Sequence, residues 1–266
     1  MQRTRNYPPI GALVRGLDVL MAISALEATA VGAIHKRTGI SKPTIVRNLE
    51  TLEHTGYVSH DESTGLYSLT ARVLCLSEGY NRGRRLVELA TPILSAYRRS
   101  MPWPSDLAFF DTDAMVIVET NRDPGTLALN RPVGSRLPML TSALGRAYLA
   151  FCSDQQRQDV LDRCIGDGPG SSKERKAIVR MLARFRSQGF SENDQSLSPS
   201  TRGVAVPVIV NGSVEACVNT IMLSESMAMN EVVDRCIPPL KTIVAQIADA
   251  LAGDLCGPDA STGQAV

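Results

Sequence analysis

The chain has 266 residues, of which 44% are hydrophobic and 21% are charged. This composition excludes a largely disordered chain, and the length predicts two domains, each with its own core. The formal net charge is only +1, so the chain as a whole is not attracted to nucleic acid or anionic lipid, and binding to either would need a local basic surface.

The first eighty residues carry the pattern of three helices and a hairpin. The first helix is indicated by apolar residues at helical spacing, namely Leu13, Leu17, Leu20 and Met21. A short second helix, marked by Val31, Ile34 and His35, is expected to stop at Gly39. A sharp turn should follow this glycine, because glycine readily adopts the left-handed backbone that ends a helix.

The third helix is the most informative element of this region. Ser41 is expected to be its N-cap, and Pro43 is tolerated in the first turn, where the N–H group has no partner within the helix. One side should pack into the core through Ile45, Val46, Leu49 and Leu52. The opposite side is polar, and its candidate DNA contacts are Ser41, Lys42, Thr44, Arg47, Asn48 and Thr51.

A hairpin is predicted directly after the third helix. Beyond Gly56, residues 57–60 and 66–69 have strand character and are joined by the turn sequence DESTG. The order helix, helix, turn, helix, hairpin is that of a winged helix-turn-helix domain. An ordinary amphipathic surface helix would explain the third helix alone, but it would not explain the turn before it and the hairpin after it.

The rest of the chain predicts an α+β domain. Residues 71–100 are mainly helical in pattern, with an interruption at Pro92, and strands are predicted at 108–110, 114–120 and 127–130. Helices follow at 142–152 and 173–187. Strands at 203–210 and 213–223 flank Asn211 and Gly212, a strong hairpin signal, and Asn230 is expected to cap a closing helix that reaches residue 251. Strands with helices outside them indicate an antiparallel sheet.

No catalytic, metal-binding or cofactor-binding motif stands out in the second domain. No histidine follows His60, and G-x-S-x-G, H-E-x-x-H and phosphate-loop sequences are absent. The six cysteines are widely spaced, so we expect reduced thiols, mostly in the core, and neither a metal nor another cofactor. No apolar run approaches the roughly 18 residues that a membrane span needs. We therefore expect a cytoplasmic protein without membrane association that is not an enzyme.

Several segments resemble the IclR family of bacterial transcription regulators. They are RGLDVLMAI, TGISKPTIVRNLETLEHTGYVSHDESTGLYSLT, GSRLPMLTSALGRAYLAF and QGFSENDQSLSPSTRGVAVPV. The resemblance covers about residues 12–252, and the branch that controls degradation of phenylpropionate and related aromatic acids is the most similar. It implies a winged helix-turn-helix domain at 12–70, a linker helix at 71–82 and a GAF-like (profilin-like) effector domain at 83–252. It also implies homodimers that pair into tetramers, and no catalysis.

The resemblance also implies an effector site in the second domain. Its residues, matched by position, are Ser142, Ala143, Leu144, Asn193, Gly203, Asn219 and Ile221. A helix that starts at Ser142 would offer free amides to a carboxylate, which favours a small carboxylic acid as the effector. The resemblance implies that this acid is aromatic. Other interpretations remain open: Ser142 could serve only as an N-cap, and Asn219 could be a core amide with satisfied hydrogen bonds or an outward-facing strand residue.

Three functions are compatible with this sequence. The first is a regulator that binds double-stranded operator DNA and a small carboxylic acid as a homodimer or tetramer. The second is an enzyme of aromatic or small-acid metabolism with an accessory DNA-binding domain, and the third is a DNA-binding protein without a ligand. The missing catalytic residues disfavour the second, and a sensor-like domain of some 170 residues disfavours the third.

Overall fold

The computed structural model describes residues 7–78, 83–121, 131–165 and 171–255. The chain divides into two compact units, Met1–Asn81 and Arg82–Val266. Each unit has its own buried apolar core, as the length predicts.

The first unit has the predicted order of elements. Its helices are α1 (Gly11–Leu26), α2 (Val31–Thr38) and α3 (Lys42–His54), and its antiparallel strands are β1 (Val58–Asp61) and β2 (Leu66–Leu69). A bridge between Thr29 and Tyr67 joins the α1–α2 connection to the hairpin. The core consists of Val19, Ala22, Ile23, Ile34, Ile45, Leu49 and Val58.

Two turns of this unit follow their sequence signals. Gly39 ends α2 with a φ of 71° and donates its amide to His35 O at 2.8 Å, which confirms the predicted stop. In the hairpin turn, the Asp61 carboxylate accepts hydrogen bonds from the amide and hydroxyl of Ser63 and from the hydroxyl of Thr64. These bonds stabilise the charged form and lower the pKa of Asp61 to about 2.

The buried side of α1 is not the one that the periodicity suggested. Leu13, Leu17 and Met21 are 61%, 53% and 68% exposed, and Leu20 is half-buried. Instead, Val19, Ala22 and Ile23 enter the core. The helix has two apolar sides, and spacing alone does not indicate which of them packs within the chain.

Two details of α3 also differ from expectation. Ser41 lies at the N-cap position, but its hydroxyl bonds to the Thr44 hydroxyl at 2.8 Å rather than to a backbone amide. Val46 is 36% exposed, because it lies roughly 100° around the helix from the buried Ile45 and so stands at the edge of the buried side.

A short helical segment leads out of the first unit. Residues Ala71–Leu74 form a 3-10 helix and α4 (Cys75–Glu78) follows it, while residues 79–82 of the predicted linker helix lie outside the described residues. In the second unit α5 (Arg84–Ser100) continues through Pro92, so the predicted interruption was wrong. Pro92 removes one hydrogen bond from the helix. The helix continues because the burial of its apolar side, formed by Leu86, Ala90, Leu94 and Tyr97, outweighs that loss.

The second unit is built on an antiparallel sheet of six described strands. These are β3 (Ser105–Asp111), β4 (Ala114–Thr120), β5 (Arg136–Pro138), β6 (Ser191–Asp194), β7 (Thr201–Val210) and β8 (Ser213–Leu223), in the order β5-β4-β3-β8-β7-β6. Asn211 and Gly212, with φ values of 50° and 79°, form the predicted β7–β8 turn. The strand predicted at 127–130 lies outside the described residues.

Helices cover both faces of this sheet. On one face α6 (Ala143–Phe151), α7 (Asp154–Ile165) and α8 (Ser171–Gln188) pack against Ala108, Ala205 and Cys217. On the other face α5 and α9 (Met229–Leu255) pack against alternate residues of the same strands, such as Leu107, Val206 and Val218.

The last helix begins and ends differently from the prediction. It starts at Met229, so Asn230 is inside its first turn, and the Ala228 amide donates to the Glu231 carboxylate at 3.1 Å. The helix runs to Leu255 rather than to residue 251. A carboxylate on the third residue caps the start without an N-cap asparagine.

The cysteines divide between core and surface. Cys152, Cys217 and Cys236 are buried free thiols, as predicted, but Cys75 and Cys164 are exposed, and Cys256 lies outside the described residues. Burial raises the pKa of Cys152 to about 11, so this thiol stays protonated. Within the described ranges, no helix is both long and apolar enough to cross a membrane.

Candidate DNA-binding surface and effector site

A depression of about 340 Å³ lies between α1 and α3 in the first unit. It is lined by Thr44, Arg47, Asn48 and Thr51 of α3, together with Ala12 and Arg15 of α1. The structure thus brings together four of the six predicted DNA-contacting residues. Ser41 and Lys42 are exposed at the start of α3, outside this depression.

Hydrogen bonds within α3 determine which of these groups are available. Asn48 donates its side-chain amide to Thr44 O at 2.7 Å, and Thr51 donates its hydroxyl to Arg47 O at 2.9 Å. Arg47 is exposed and forms no ion pair within the described part of the chain. Its guanidinium is therefore the main free donor that α3 contributes to the depression.

Arg15 is the residue of this surface that the sequence reading missed. It lies on α1 and not on the polar side of α3, where the DNA contacts were predicted. An arginine four residues from Gly11, on the side of α1 away from Leu13 and Leu17, was the available signal. With Arg47 it gives the depression two positive charges, although the net charge of the chain is only +1.

The second candidate site is at the start of α6. Ser142 caps this helix: its hydroxyl accepts the Gly145 amide at 3.0 Å and donates to Pro138 O at 2.6 Å. Ala143 and Leu144 are the first two residues of the helix, so their amides have no acceptor one turn earlier. The predicted N-cap is confirmed, and its presence leaves the first amides of α6 for another acceptor.

The remaining predicted effector residues lie side by side on the strands below. Asn193 of β6 pairs with Gly203 of β7, which pairs with Ile221 of β8, and Asn219 pairs with Ala205. Strand alternation places Gly203, Asn219 and Ile221 on the face that α6 covers. The structure therefore groups the predicted residues at one place, and all of them are buried.

The side chain of Asn219 has partners for both of its polar atoms. Its Oδ1 accepts the Asp106 amide at 2.7 Å, and its Nδ2 donates to the Asp106 carboxylate at 3.1 Å. That carboxylate also accepts the Thr120 hydroxyl at 2.7 Å. This network joins β8 to β3 and β4, which matches the interpretation of Asn219 as a core amide.

Close backbone contacts fix the shape of this region. A Cβ atom on Gly145 would lie 2.5 Å from both Met139 Cα and Met139 O, and one on Gly203 would lie 2.9 Å from Thr220 O. Both glycines therefore allow neighbouring main chains to approach more closely than any other residue would permit. Helix α6 is seated against the segment that follows β5 for this reason.

Arg146 is a second residue that the sequence reading missed. Its guanidinium donates to Leu140 O at 2.8 Å and to Glu192 O at 2.9 Å, so it links the start of α6 to β6. Burial lowers the pKa of this guanidinium. The signal was a single charged residue within the otherwise uncharged sequence ALGRAYLAF.

Comparison with known proteins gives two family matches that together span most of the chain. Residues 12–62 match the IclR helix-turn-helix domain, and residues 79–249 match the C-terminal domain of bacterial transcriptional regulators of the IclR type. The second match covers more than half of the chain. Both the predicted resemblance and the predicted fold class are confirmed.

Individual relatives agree with these matches. The chain is 27% identical to the Pca regulon regulatory protein of Pseudomonas putida over 86% of this chain and 80% of that protein. It is 27% identical to the regulator TsaQ1/TsaQ2 of Comamonas testosteroni over 77% and 74%. A solved IclR homologue from Microbacterium hydrocarbonoxydans, complexed with 4-hydroxybenzoate, has a TM-score of 0.69, 21% identity and coverage of 91% and 99%.

Proposed function

Because the chain belongs to the IclR family, and is therefore a DNA-binding transcription regulator rather than an enzyme, we propose that it controls a catabolic operon in the cytoplasm in response to an aromatic carboxylic acid. We assign operator binding to residues 12–70, the linker helix between the two domains to 71–82, and effector binding to 83–252. The observation that carries the proposal is the depression between α1 and α3, where Arg15 of α1 lies beside Arg47 and the other polar residues of α3.

Operator recognition falls on the exposed side of α3. Arg47 has a free guanidinium, which can form a bidentate contact with a guanine edge or bind a phosphate. Thr44, Asn48 and Thr51 line the same surface, and we assign them to adjacent base or phosphate contacts. Ser41 and Lys42 start the helix, where an amine and a hydroxyl suit phosphate contacts that fix the register on DNA.

Replacing Arg47 with alanine is expected to weaken operator binding by about 1 to 3 kcal/mol if the residue reads a base edge. Thermal stability should change by less than about 0.5 kcal/mol, because the side chain is exposed. Gel-shift titration at several salt concentrations measures the effect, with Arg180→Ala on the exposed surface of α8 as the control. An unchanged affinity and salt slope for Arg47→Ala would remove α3 from the interface.

Helix α1 supplies a surface suited to a second copy of the chain. Ile10, Val14, Leu17 and Met21 follow one another at spacings of four, three and four residues, and all are between 45% and 70% exposed. This is the spacing of a coiled-coil seam. We assign the stripe to a two-fold dimer contact, since paired domains would read paired half-sites of an operator.

Replacing Leu17 with glutamate is expected to convert the dimer to monomers, because the carboxylate would be buried at the centre of the seam. Operator affinity should fall with it, since each domain would then bind only one half-site. Light scattering measures the mass against the 28.7 kDa of one chain. Ala33→Glu on the exposed side of α2 adds the same charge elsewhere and should leave the mass unchanged; monomers from both variants, or from neither, would contradict this assignment.

The effector domain is proposed to hold its ligand between α6 and the strands below. The first amides of α6 at Ala143 and Leu144 suit a carboxylate, and the neighbouring strand residues Gly203 and Ile221 suit an apolar ring. Support comes from relatives, including the homologue solved with 4-hydroxybenzoate. Both polar atoms of the Asn219 side chain are already hydrogen-bonded, whereas Asn193, within the described ranges, uses only its Oδ1 as an acceptor. The anion would therefore be recognised by the backbone amides of α6 and by the side-chain NH2 of Asn193.

A panel of acids should identify the ligand class by melting temperature. An effector at one hundred times its dissociation constant is expected to stabilise the domain by about 2.7 kcal/mol. The panel contains phenylpropionate, cinnamate, benzoate and protocatechuate, with pyruvate as a short acid, and the neutral amide of each hit is the matched control. If amides and acids stabilise the protein equally, the carboxylate does not bind at the start of α6.

A further inference from the structure

A second cavity of the effector domain lies on the sheet face opposite to α6. Its volume is about 200 Å³, and its apolar walls are Leu86 of α5, Phe109 of β3, Val210 of β7 and Leu251 of α9. Leu86, Phe109 and Val210 belong to the core that α5 and α9 form with the sheet. The cavity is thus separated by the sheet from the residues assigned to the carboxylate effector.

The volume limits what this cavity can hold. A dry cavity of about 150 Å³ lined by apolar side chains binds benzene. The cavity volume of about 200 Å³ therefore suits one aromatic ring with a short side chain. Three apolar walls are almost fully buried, with exposures of 6% for Leu86, 3% for Phe109 and 4% for Val210. The deep end of the cavity is therefore apolar, whereas its rim at Arg85 and Asp254 is open to solvent.

Charged residues at the rim determine the preferred head group. They are Arg85, Asp254 and Glu215. Arg85 donates its Nε to Asp254 at 2.7 Å and also pairs with Glu88, so its charge is already shared by two carboxylates. Glu215 forms no ion pair or hydrogen bond within the described ranges. The rim therefore has an excess of negative charge and one carboxylate available to a ligand.

We propose that this cavity is a second ligand site that binds a small apolar amine, with its ring against Phe109 and Leu251 and its ammonium group beside Glu215. The site is independent of the carboxylate site, because the two lie on opposite faces of the sheet and prefer opposite charges. A ligand there would contact both α5 and α9, the first and last described helices of the effector domain.

The test is a calorimetric titration of the full-length chain with three probes of similar shape. They are cationic 2-phenylethylamine, neutral 2-phenylethanol and anionic 3-phenylpropionate. The amine is expected to bind more tightly than the alcohol. Glu215→Gln should weaken the amine by about twofold to fivefold, the range for an exposed ion pair, and leave the alcohol unchanged. If the amine binds no better than the alcohol, or Glu215→Gln has no effect on it, the charge assignment is wrong.

A cavity-filling variant locates the bound ring. Leu251→Trp is expected to abolish binding of both the amine and the alcohol, whereas Val179→Trp, on the exposed side of α8, should not alter it. Any binding of 3-phenylpropionate to the effector site should be the same in both variants, so the two proposals fail separately. Unchanged amine binding in Leu251→Trp, or no amine binding to the unmodified chain at millimolar concentration, would overturn the second site.

Discussion

Replacing Glu119 with alanine is expected to lower the free energy of unfolding of the effector domain by about 3 to 5 kcal/mol. Glu119 of β4 forms a two-pronged ion pair with Arg98 of α5, and the two side chains are only 13% and 11% exposed. Arg98 also donates to the hydroxyl and carbonyl of Ser105 at 2.8 and 2.9 Å. Loss of the carboxylate would leave a buried positive charge without its counter-ion.

Urea unfolding of the full chain, followed by a probe of the effector domain, measures this loss as a lower midpoint at constant slope. The matched control is Glu88→Ala, which removes a carboxylate from the exposed pairs with Arg84 and Arg85. Exposed pairs contribute about 0 to 1 kcal/mol. Equal losses for the two variants would show that burial of Arg98 does not decide the stability of the α5–β4 contact.

Elements whose signals are local were predictable from the sequence. Gly39 ends α2, and Asn211 with Gly212 forms the β7–β8 turn, because each signal depends on backbone conformation at one or two residues. Strand β8 has its predicted bounds, Ser213–Leu223. A strand that is buried on both faces forms a nearly continuous apolar run, which is visible without knowledge of its partners.

Features that depend on distant partners could not be predicted in this way. The sequence does not indicate that Asn219 bonds to Asp106, because the two residues are 113 positions apart. Likewise, Arg15 joins the α3 surface only through the packing of α1. The apolar stripe of α1 was recognised, but its exposure depends on which side of the helix the chain itself buries.

The position of α6 depends on a glycine whose role the sequence did not reveal. Replacing Gly145 with alanine is expected to destabilise the effector domain by about 2 to 3 kcal/mol through overpacking. The new Cβ would lie 2.5 Å from Met139 Cα and O and 2.8 Å from Met139 C. These are main-chain atoms, so no side chain can rotate away, and α6 must shift with its Ser142 cap.

The expected change in the free energy of unfolding has the opposite sign from that of a glycine-to-alanine substitution in a solvent-exposed helix. There, alanine is favoured over glycine by about 1 kcal/mol. Gly253→Ala in α9 is therefore the matched control, since among the described residues no atom outside its own helix backbone lies within 4 Å of the added Cβ, and it should be neutral or stabilising. Urea unfolding measures both variants.

Because a shift of α6 moves the amides of Ala143 and Leu144, Gly145→Ala should also reduce the increase in melting temperature caused by any carboxylate that binds. A variant with undiminished stability would show that α6 can move away from Met139 at little cost, and that the seat of the proposed anion site is not rigid.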